Sequence, residues 1–194
     1  MNRIALTGGP SAGKSTALRH LDATCGHSLA LVPEAATLLL QGGFPAPDEQ
    51  YPWSIDWQRN FQLAIAMTQI ALEQTIETRA ATNGQGIAVC DRGLADGAAY
   101  LPGGLNELSE LIGYSKSSIL GRYDFVIHLT SSVTHSSGYQ KHTNVHRFEE
   151  AEEARKLEER TLEAWADHPK RLILDIEDST TRNQSVAQAI TEFA

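Results

Sequence analysis

The stretch LTGGPSAGKST, residues 6–16, lies between a short apolar run and the start of a helical pattern. Within it, Gly8, Gly13, Lys14 and Ser15 satisfy the spacing G-x-x-x-x-G-K-[ST], which is typical of a loop that binds nucleotide phosphates. This motif needs a strand before it and a helix after it, and the flanking sequence supplies both. The stretch therefore predicts a phosphate site between the first strand and the first helix.

Each residue type in this loop has a physical role in holding a triphosphate. Glycines let the backbone turn its N–H groups towards phosphate oxygens, and the N-terminus of the following helix adds partial positive charge. We expect Lys14 to reach the β- and γ-phosphates, Ser15 to ligate Mg²⁺ and Thr16 to bind the α-phosphate. The predicted binding set for ATP or GTP comprises Gly8, Gly9, Pro10, Ser11, Ala12, Gly13, Lys14, Ser15 and Thr16.

The rest of the sequence alternates short apolar runs with helical patterns, which indicates parallel strands joined by helices. We predict strands at residues 3–6, 29–32, 86–91, 124–129 and 171–174, and helices that include residues 14–21, 55–81, 106–112 and 180–193. A proline-rich segment at 43–53 is predicted to form a long loop. The pattern predicts a single α/β domain over residues 1–194.

Composition argues against several classes of protein. The chain has 194 residues, a formal net charge of -8 and 41% hydrophobic residues, which fits one globular domain. An acidic balance argues against general binding to nucleic acid or to an anionic membrane surface, because those partners select for lysine and arginine. No apolar run is long enough to suggest a membrane span, and the presence of two cysteines favours a reduced, cytoplasmic setting.

Two acidic residues are expected near the phosphate site. Asp91 ends the third predicted strand and Glu34 follows the second, and parallel strands present their carboxyl ends at one edge of a sheet. Asp91 would hold Mg²⁺ or orient a nucleophile, and either Glu34 or Asp91 would act as general base. For Glu34 an alternative stays open, namely a first-turn helix residue that the helix dipole stabilises.

Arginine is expected to stabilise the charge on a transferring phosphoryl group. Arg92 follows Asp91 directly, and Arg147 lies between a polar segment and the charged helix predicted at 149–165. Arg155 lies within that helix, where pairing with an acidic neighbour on an exposed face is the simpler interpretation. The helix is predicted to be solvated with a single buried stripe, which comprises Ala151, Ala154, Leu157, Thr161 and Trp165.

Histidines and aromatic residues are potential ligands for metal and substrate. The histidines around the polar segment lack a metal-ligand spacing, so we predict solvated side chains for His128, His135, His142 and His146. Either a substrate pocket or core packing would explain the aromatic residues Tyr51, Trp53 and Trp57.

The chain resembles the P-loop ATPase/kinase domain family, whose members include the nicotinamide-riboside kinase domain of NadR and an insect photoreceptor translocation-defect GTP-binding protein. The stretches that carry the resemblance are GGPSAGKST, VPEAA, DRGLADGAAY, RYDFVIHL and YQKHTNVHRFEEAEEA. The resemblance implies a three-layer P-loop NTPase fold like that of nucleoside and nucleotide kinases. That fold has a five-stranded parallel sheet and a lid segment, here at about 131–160.

The resemblance also assigns roles to individual residues. Asp91 and Arg92 look like the pair at the acceptor site of those kinases, and Glu34 looks like the acidic residue that serves them as base. Two further residues complete the family pattern D-R-G-x-x-D-x-x-x-Y, namely Asp96 and Tyr100. Contacts over the phosphates are implied for the lid residues Tyr139, Asn144 and Arg147.

Two functions remain open at this point. The first is an ATP- and Mg²⁺-dependent kinase whose unidentified small-molecule acceptor lies between the loop at 43–53, the long helix and the Asp91 strand end. The second is a regulatory switch that binds ATP or GTP without phosphorylating an acceptor. The absence of N-K-x-D weakens a conventional GTPase, and the sequence offers no segment for the helical lid domain of an AAA+ motor. A homodimer is an open alternative for either function.

Overall fold

The computed structural model describes residues 1–130 and 151–193. The first twenty residues of the predicted lid, 131–150, lie outside this range. The predictions for Tyr139, Asn144, Arg147 and three of the histidines therefore fall on residues that the structure does not describe. The rest of the predicted lid, 151–160, belongs to a helix.

Five strands form one parallel sheet in the order β2-β3-β1-β4-β5. The strands are β1 Asn2–Thr7, β2 Leu29–Val32, β3 Ile87–Asp91, β4 Phe125–Leu129 and β5 Arg171–Leu174. The predicted strands are confirmed to within one residue at each end. Because β1 is the central strand, the loop that follows it starts in the middle of the carboxyl edge of the sheet.

Helices cover both faces of this sheet and give the predicted three-layer α/β fold. The helices of the described residues are α1 Lys14–Cys25, α2 Ala35–Gln41, α3 Ile55–Thr82, α4 Gly104–Ile112, α5 Lys116–Leu120, α6 Ala151–Ala164 and α7 Ser179–Phe193. A 3₁₀ helix spans Leu94–Tyr100. Neither this 3₁₀ helix nor α5 is predicted from the sequence, because both are too short to show a hydrophobic period.

Two hydrophobic cores lie on opposite faces of the sheet. Successive residues of a strand point to opposite faces, so β1 contributes to both cores. Ala5 packs with residues of α3, α4 and α5 on one face, whereas Ile4 and Leu6 pack with α1 and α7 on the other. This division leaves the carboxyl edge of the sheet as the place where loops from both faces meet.

A buried carboxylate anchors α3 to the sheet. Glu73 is fully buried and forms ion pairs with Arg3 at 3.1 Å and with Arg122, and Tyr123 donates to its Oε1 at 2.6 Å. A carboxylate tolerates burial only when cations and donors compensate the lost hydration, as they do here. The long helix α3 is therefore held in a fixed position, and one of its faces is available as a rigid wall.

The segment between α2 and α3 is irregular, as the prolines predict, and a few contacts attach it to α3. Phe44 contacts Phe61 with ring centroids 5.0 Å apart, and Trp57 contacts Phe61 at 4.9 Å. The Trp57 indole Nε1 donates to the carbonyl oxygen of Pro45 at 2.7 Å. These contacts tie the loop to the N-terminal half of α3.

Within the described residues, no helix combines the length and the apolar character that crossing a bilayer requires.

Candidate functional site

The glycine-rich loop follows β1 and adopts backbone angles that suit a phosphate cradle. Gly8 has φ +141° and Gly13 has φ +87°, and Ser11 adopts a left-handed conformation with φ +59°. A side chain at Gly8 would clash with the carbonyl oxygen of Leu129, so β4 can approach the loop only because residue 8 is glycine. Two of the motif glycines therefore have the conformational role that the sequence predicts.

The motif lysine lies over its own loop. Lys14 is 6% exposed, and its Nζ donates to the carbonyl oxygens of Gly8 at 3.0 Å and Gly9 at 3.1 Å. The first turn of α1 starts at the loop, since the N–H groups of Thr16 and Ala17 donate to the Gly13 carbonyl. The ammonium group and the helix N-terminus thus supply positive charge to the same short stretch of backbone.

Arg92 connects three elements at the carboxyl edge of the sheet. Its Nε donates to Glu34 Oε1 at 2.8 Å, and its Nη1 donates to the Gly8 carbonyl at 3.2 Å and to Asp96 Oδ1 at 3.0 Å. The Arg92 backbone is left-handed, with φ +69°. The structure thus brings the predicted residues Glu34 and Arg92 together beside the loop.

Arg92, Glu34 and Asp96 form what we call the Arg92 cluster. The carboxylate of Glu34 takes part in this cluster and does not cap a helix. Glu34 is the N-cap residue of α2, yet its side chain accepts no capping hydrogen bond from the helix backbone. Its oxygens accept from Arg92 Nε and from Thr37 Oγ1 instead. The alternative of a dipole-stabilised helix residue therefore does not account for its side-chain contacts.

Asp91 ends β3 beside the loop, as predicted, and part of its carboxylate lacks a partner. Its buried Oδ1 has no hydrogen-bond partner among the described residues. Burial raises the pKa of Asp91, Lys14 lowers it and Glu34 raises it, so that the net pKa lies above the ordinary value. Mg²⁺ prefers oxygen ligands, and the unsatisfied carboxylate oxygen of Asp91 fits such a role.

Asp96 has a structural role that the sequence did not reveal. This 2% exposed carboxylate accepts from Thr7 Oγ1 at 2.6 Å, Arg92 Nη1 at 3.0 Å, the Gly93 backbone N–H at 3.0 Å and Trp165 Nε1 at 3.1 Å. Its oxygens are therefore fully engaged. The contacts join the end of β1, the segment after β3 and the residue after α6.

A cavity of ≈ 530 Å³ opens beside the Arg92 cluster. It lies between the loop before α3, the α3 helix and the segment after Asp91, which is the region that the sequence predicts for an acceptor. Its polar and charged lining consists of Glu34, Thr37, Gln58, Gln62, Gln69, Arg92, Asp96, Tyr100, Glu153, Lys156 and Arg160. The lining also includes the aromatic residues Trp53, Trp57 and Phe61. Trp53 and Trp57 thus line the cavity, whereas Tyr51 is 75% exposed and does not.

Glutamine side chains of α3 present amide groups along this cavity. Gln62 belongs to this lining and is 3% exposed. Gln58, one turn earlier on α3, accepts a hydrogen bond from Trp53 Nε1 at 3.2 Å. An amide on a cavity wall offers both a donor and an acceptor to a bound molecule. Gln62 is therefore a candidate ligand contact.

Two functional candidates were missed, and the prediction for one of them was wrong. His128 was expected to be solvated, but it is 0% exposed on β4, with Nε2 2.6 Å from Oε1 of Glu158. Glu158 is 2% exposed, and its Oε2 accepts from the backbone N–H of Gly9 at 2.7 Å. The charged composition of α6 concealed Glu158, although position 158 falls on the helical stripe that contains Ala154 and Thr161. Arg155 is exposed, which agrees with the predicted position of this residue on an exposed face of the helix.

A pH-dependent stability change follows from the environment of Asp91. Because its folded pKa lies above the ordinary value, ionised Asp91 destabilises the folded protein near neutral pH. Below the unfolded pKa the carboxyl is protonated in both states, so this cost is absent. Asp91→Asn should therefore raise the Tm of the nucleotide-free protein near neutral pH, and the gain should shrink as pH falls through the folded pKa.

Thermal unfolding between about pH 4 and pH 8 measures this effect. Asp167→Asn, at an exposed position just beyond α6, is the matched control and should leave Tm unchanged within about 1–2 °C. A loss of stability in Asp91→Asn near neutral pH, or a gain independent of pH, would contradict the assignment of a raised pKa.

Comparison with known proteins agrees with this architecture. A protein-family model described as an AAA domain matches residues 3–182. No curated protein matches the chain. The family match covers the whole sheet, the glycine-rich loop, the Arg92 cluster and the start of α7. The chain therefore belongs to this AAA-domain family of P-loop NTPases and is a nucleotide-binding P-loop protein.

Proposed function

We propose that the protein is a Mg²⁺-dependent phosphotransferase that moves the γ-phosphoryl group of ATP, or of GTP, to a hydroxyl group of a small molecule. The observation that carries this proposal is the position of Arg92. Its guanidinium lines the cavity and also donates to the Gly8 carbonyl of the phosphate loop. A nucleotide bound at the loop and an acceptor molecule bound in the cavity would therefore both lie next to Arg92.

The donor side of the proposal uses the loop residues. Lys14 would exchange its loop carbonyls for phosphate oxygens, and backbone N–H groups of residues 11–15 would hold the β-phosphate. Thr16 would bind the α-phosphate. Ser15 and Asp91 would hold Mg²⁺, which neutralises charge on the phosphates when bound.

On the acceptor side, the geometry favours Glu34 as the base. Glu34 lines the cavity, whereas Asp91 does not, and Asp91 lies close enough to Lys14 for that ammonium to lower its pKa. In the proposed step the acceptor oxygen forms a bond to the γ-phosphorus, the bond to the ADP oxygen breaks, and the hydroxyl proton passes to Glu34. The products are the phosphorylated acceptor and ADP.

Arg92 is suited to stabilise the transferring group. Burial alone would lower the pKa of Arg92, but Tyr100, Glu34 and Asp96 raise it, and the net pKa lies well above the ordinary value. The side chain therefore stays cationic in a site from which water is largely excluded, where a fixed charge has its greatest effect. Arg147 remains a predicted lid contact, and Lys156 and Arg160 add two cations to the cavity lining.

The lining also supports an acceptor class. Aromatic walls favour a flat ring, and the amides of Gln58 and Gln62 offer donors and acceptors to the edge of such a ring. A hydroxyl near Glu34 completes the set of groups that the site requires. A nucleoside-like molecule carries all three features, which agrees with the resemblance to nucleoside kinases.

The free cysteines Cys25 and Cys90 fit a cytoplasmic setting.

The first test is turnover with a panel of nucleosides and other small hydroxyl compounds. ATP consumption should rise when an acceptor is present, and Glu34→Gln should lower kcat by about 10²–10⁴-fold, because general base catalysis contributes that much. The affinity for ATP should stay the same, since Glu34 lies on the cavity side of Arg92. Glu49→Gln, at an exposed position in the loop before α3, is the matched control.

Full activity in Glu34→Gln would contradict the role of Glu34 as base. Nucleotide binding by the wild-type protein without turnover on any acceptor would favour the regulatory switch.

Gln62 gives a second test, which concerns recognition of the acceptor. Gln62→Met keeps the volume of the side chain but removes its hydrogen-bonding groups. We expect KM for the acceptor to rise about tenfold, because a net hydrogen bond contributes about 0.5–1.5 kcal/mol. Gln74→Met, at an exposed position on the same helix, should behave like the wild-type protein. An unchanged acceptor KM in Gln62→Met would show that the ring edge is not recognised there.

A further inference from the structure

Helix α6 contacts both halves of the proposed site. Glu158 accepts a hydrogen bond from the backbone N–H of Gly9 in the phosphate loop. Neighbouring residues of the same helix line the cavity, namely Glu153, Lys156, Leu157 and Arg160. A rigid helix that touches the donor loop and the acceptor cavity is a physical route between the two.

The contact to the loop is buried and specific. Glu158 lies between His128, whose Nε2 is 2.6 Å from Oε1, and Gly9, whose N–H is 2.7 Å from Oε2. Each carboxylate oxygen thus has a different partner, one on β4 and one in the loop. A side chain at residue 9 would displace Oε2 of Glu158 and would crowd the Cβ of Glu158 at 3.2 Å, so glycine at this position favours the close packing of α6 on the loop.

The peptide group between Gly8 and Gly9 forms hydrogen bonds with Lys14, Arg92 and Glu158. The peptide that joins Gly8 to Gly9 offers its carbonyl oxygen to Lys14 Nζ at 3.0 Å and to Arg92 Nη1 at 3.2 Å. Its N–H is donated to Glu158. The lysine that would meet the phosphates, the arginine beside the cavity and the acid of α6 therefore share one rigid planar unit.

We propose that Glu158 is a positioning residue that couples nucleotide occupancy of the loop to the placement of α6, and through α6 to the acceptor cavity. When Lys14 leaves the Gly8 carbonyl for a phosphate, the hydrogen bonding of that peptide group changes, and Glu158 carries the change to α6. Coupling between two sites is reciprocal, so a molecule in the cavity would also alter nucleotide affinity. The inference rests on nucleotide binding at the loop, but not on phosphoryl transfer.

Hydrogen–deuterium exchange with AMP-PNP and Mg²⁺ tests this coupling in the full chain. In the wild-type protein, AMP-PNP should change the exchange rate of backbone amides in residues 151–165 by about fivefold or more, the lower end of typical couplings. Glu158→Met keeps the side-chain volume but cannot accept the Gly9 hydrogen bond, and it should abolish this response while still binding AMP-PNP. Glu158→Gln keeps an acceptor and should retain most of the response.

Two further variants complete the experiment. Glu159→Gln, at the exposed neighbouring position, is the matched control and should respond like the wild-type protein. Glu158→Asp shortens the reach by one methylene and replaces Glu158→Met if that variant does not fold; it too should lose most of the response. Binding of AMP-PNP to each variant is measured by calorimetry in parallel.

The outcomes separate this inference from the proposed function. Equal responses of α6 in the wild-type protein and Glu158→Met would overturn the coupling, as would nucleotide binding without any response in the wild-type protein. Failure of the wild-type protein to bind AMP-PNP would overturn both the coupling and the nucleotide assignment. A coupled protein without acceptor turnover would support the positioning role of Glu158 and contradict only the phosphotransferase.

Discussion

The buried guanidinium of Arg92 is the interaction on which the arrangement of the site depends. A buried charge must be paired, and here its partners come from three separate elements: Glu34 before α2, Asp96 in the 3₁₀ helix and the Gly8 carbonyl in the loop. If any of these elements moved away, the charge would lose a compensating contact. The left-handed backbone of Arg92 costs about 1 kcal/mol or more, and the surrounding hydrogen bonds hold it. The cluster thus fixes the cavity wall relative to the phosphate loop.

The strand order determines which residues can reach that cluster. In the sheet, Leu6 is registered with Asp91 on one side of β1, and Thr7 is registered with His128 on the other. The start of the phosphate loop is therefore flanked by a carboxylate from β3 and by an imidazole from β4. Asp91 lies near enough to Lys14 of the loop for that ammonium group to lower its pKa. His128 acts through α6, because it holds Glu158 against the Gly9 amide.

The sequence predicts those parts of the site that depend on local pattern or on a general property of parallel sheets. The loop is a continuous motif, and Glu34 and Asp91 follow strands whose carboxyl ends must share an edge. It could not predict Glu158, since the contact with Gly9 joins residues that are far apart in the chain and lie in a helix of mostly exposed charges. Asp96 was singled out only by the family pattern, and its engagement by four donors depends on the tertiary positions of Thr7 and Trp165.

We propose that the phosphate loop and the cavity are two halves of one reaction site. A crystal structure with AMP-PNP and Mg²⁺ would test this proposal, because the direction of the γ-phosphate is then visible. We expect a triphosphate on residues 8–16 with its γ-phosphate next to Arg92 and facing the cavity near Glu34. A γ-phosphate that points away from the cavity, or a nucleotide bound elsewhere, would contradict it.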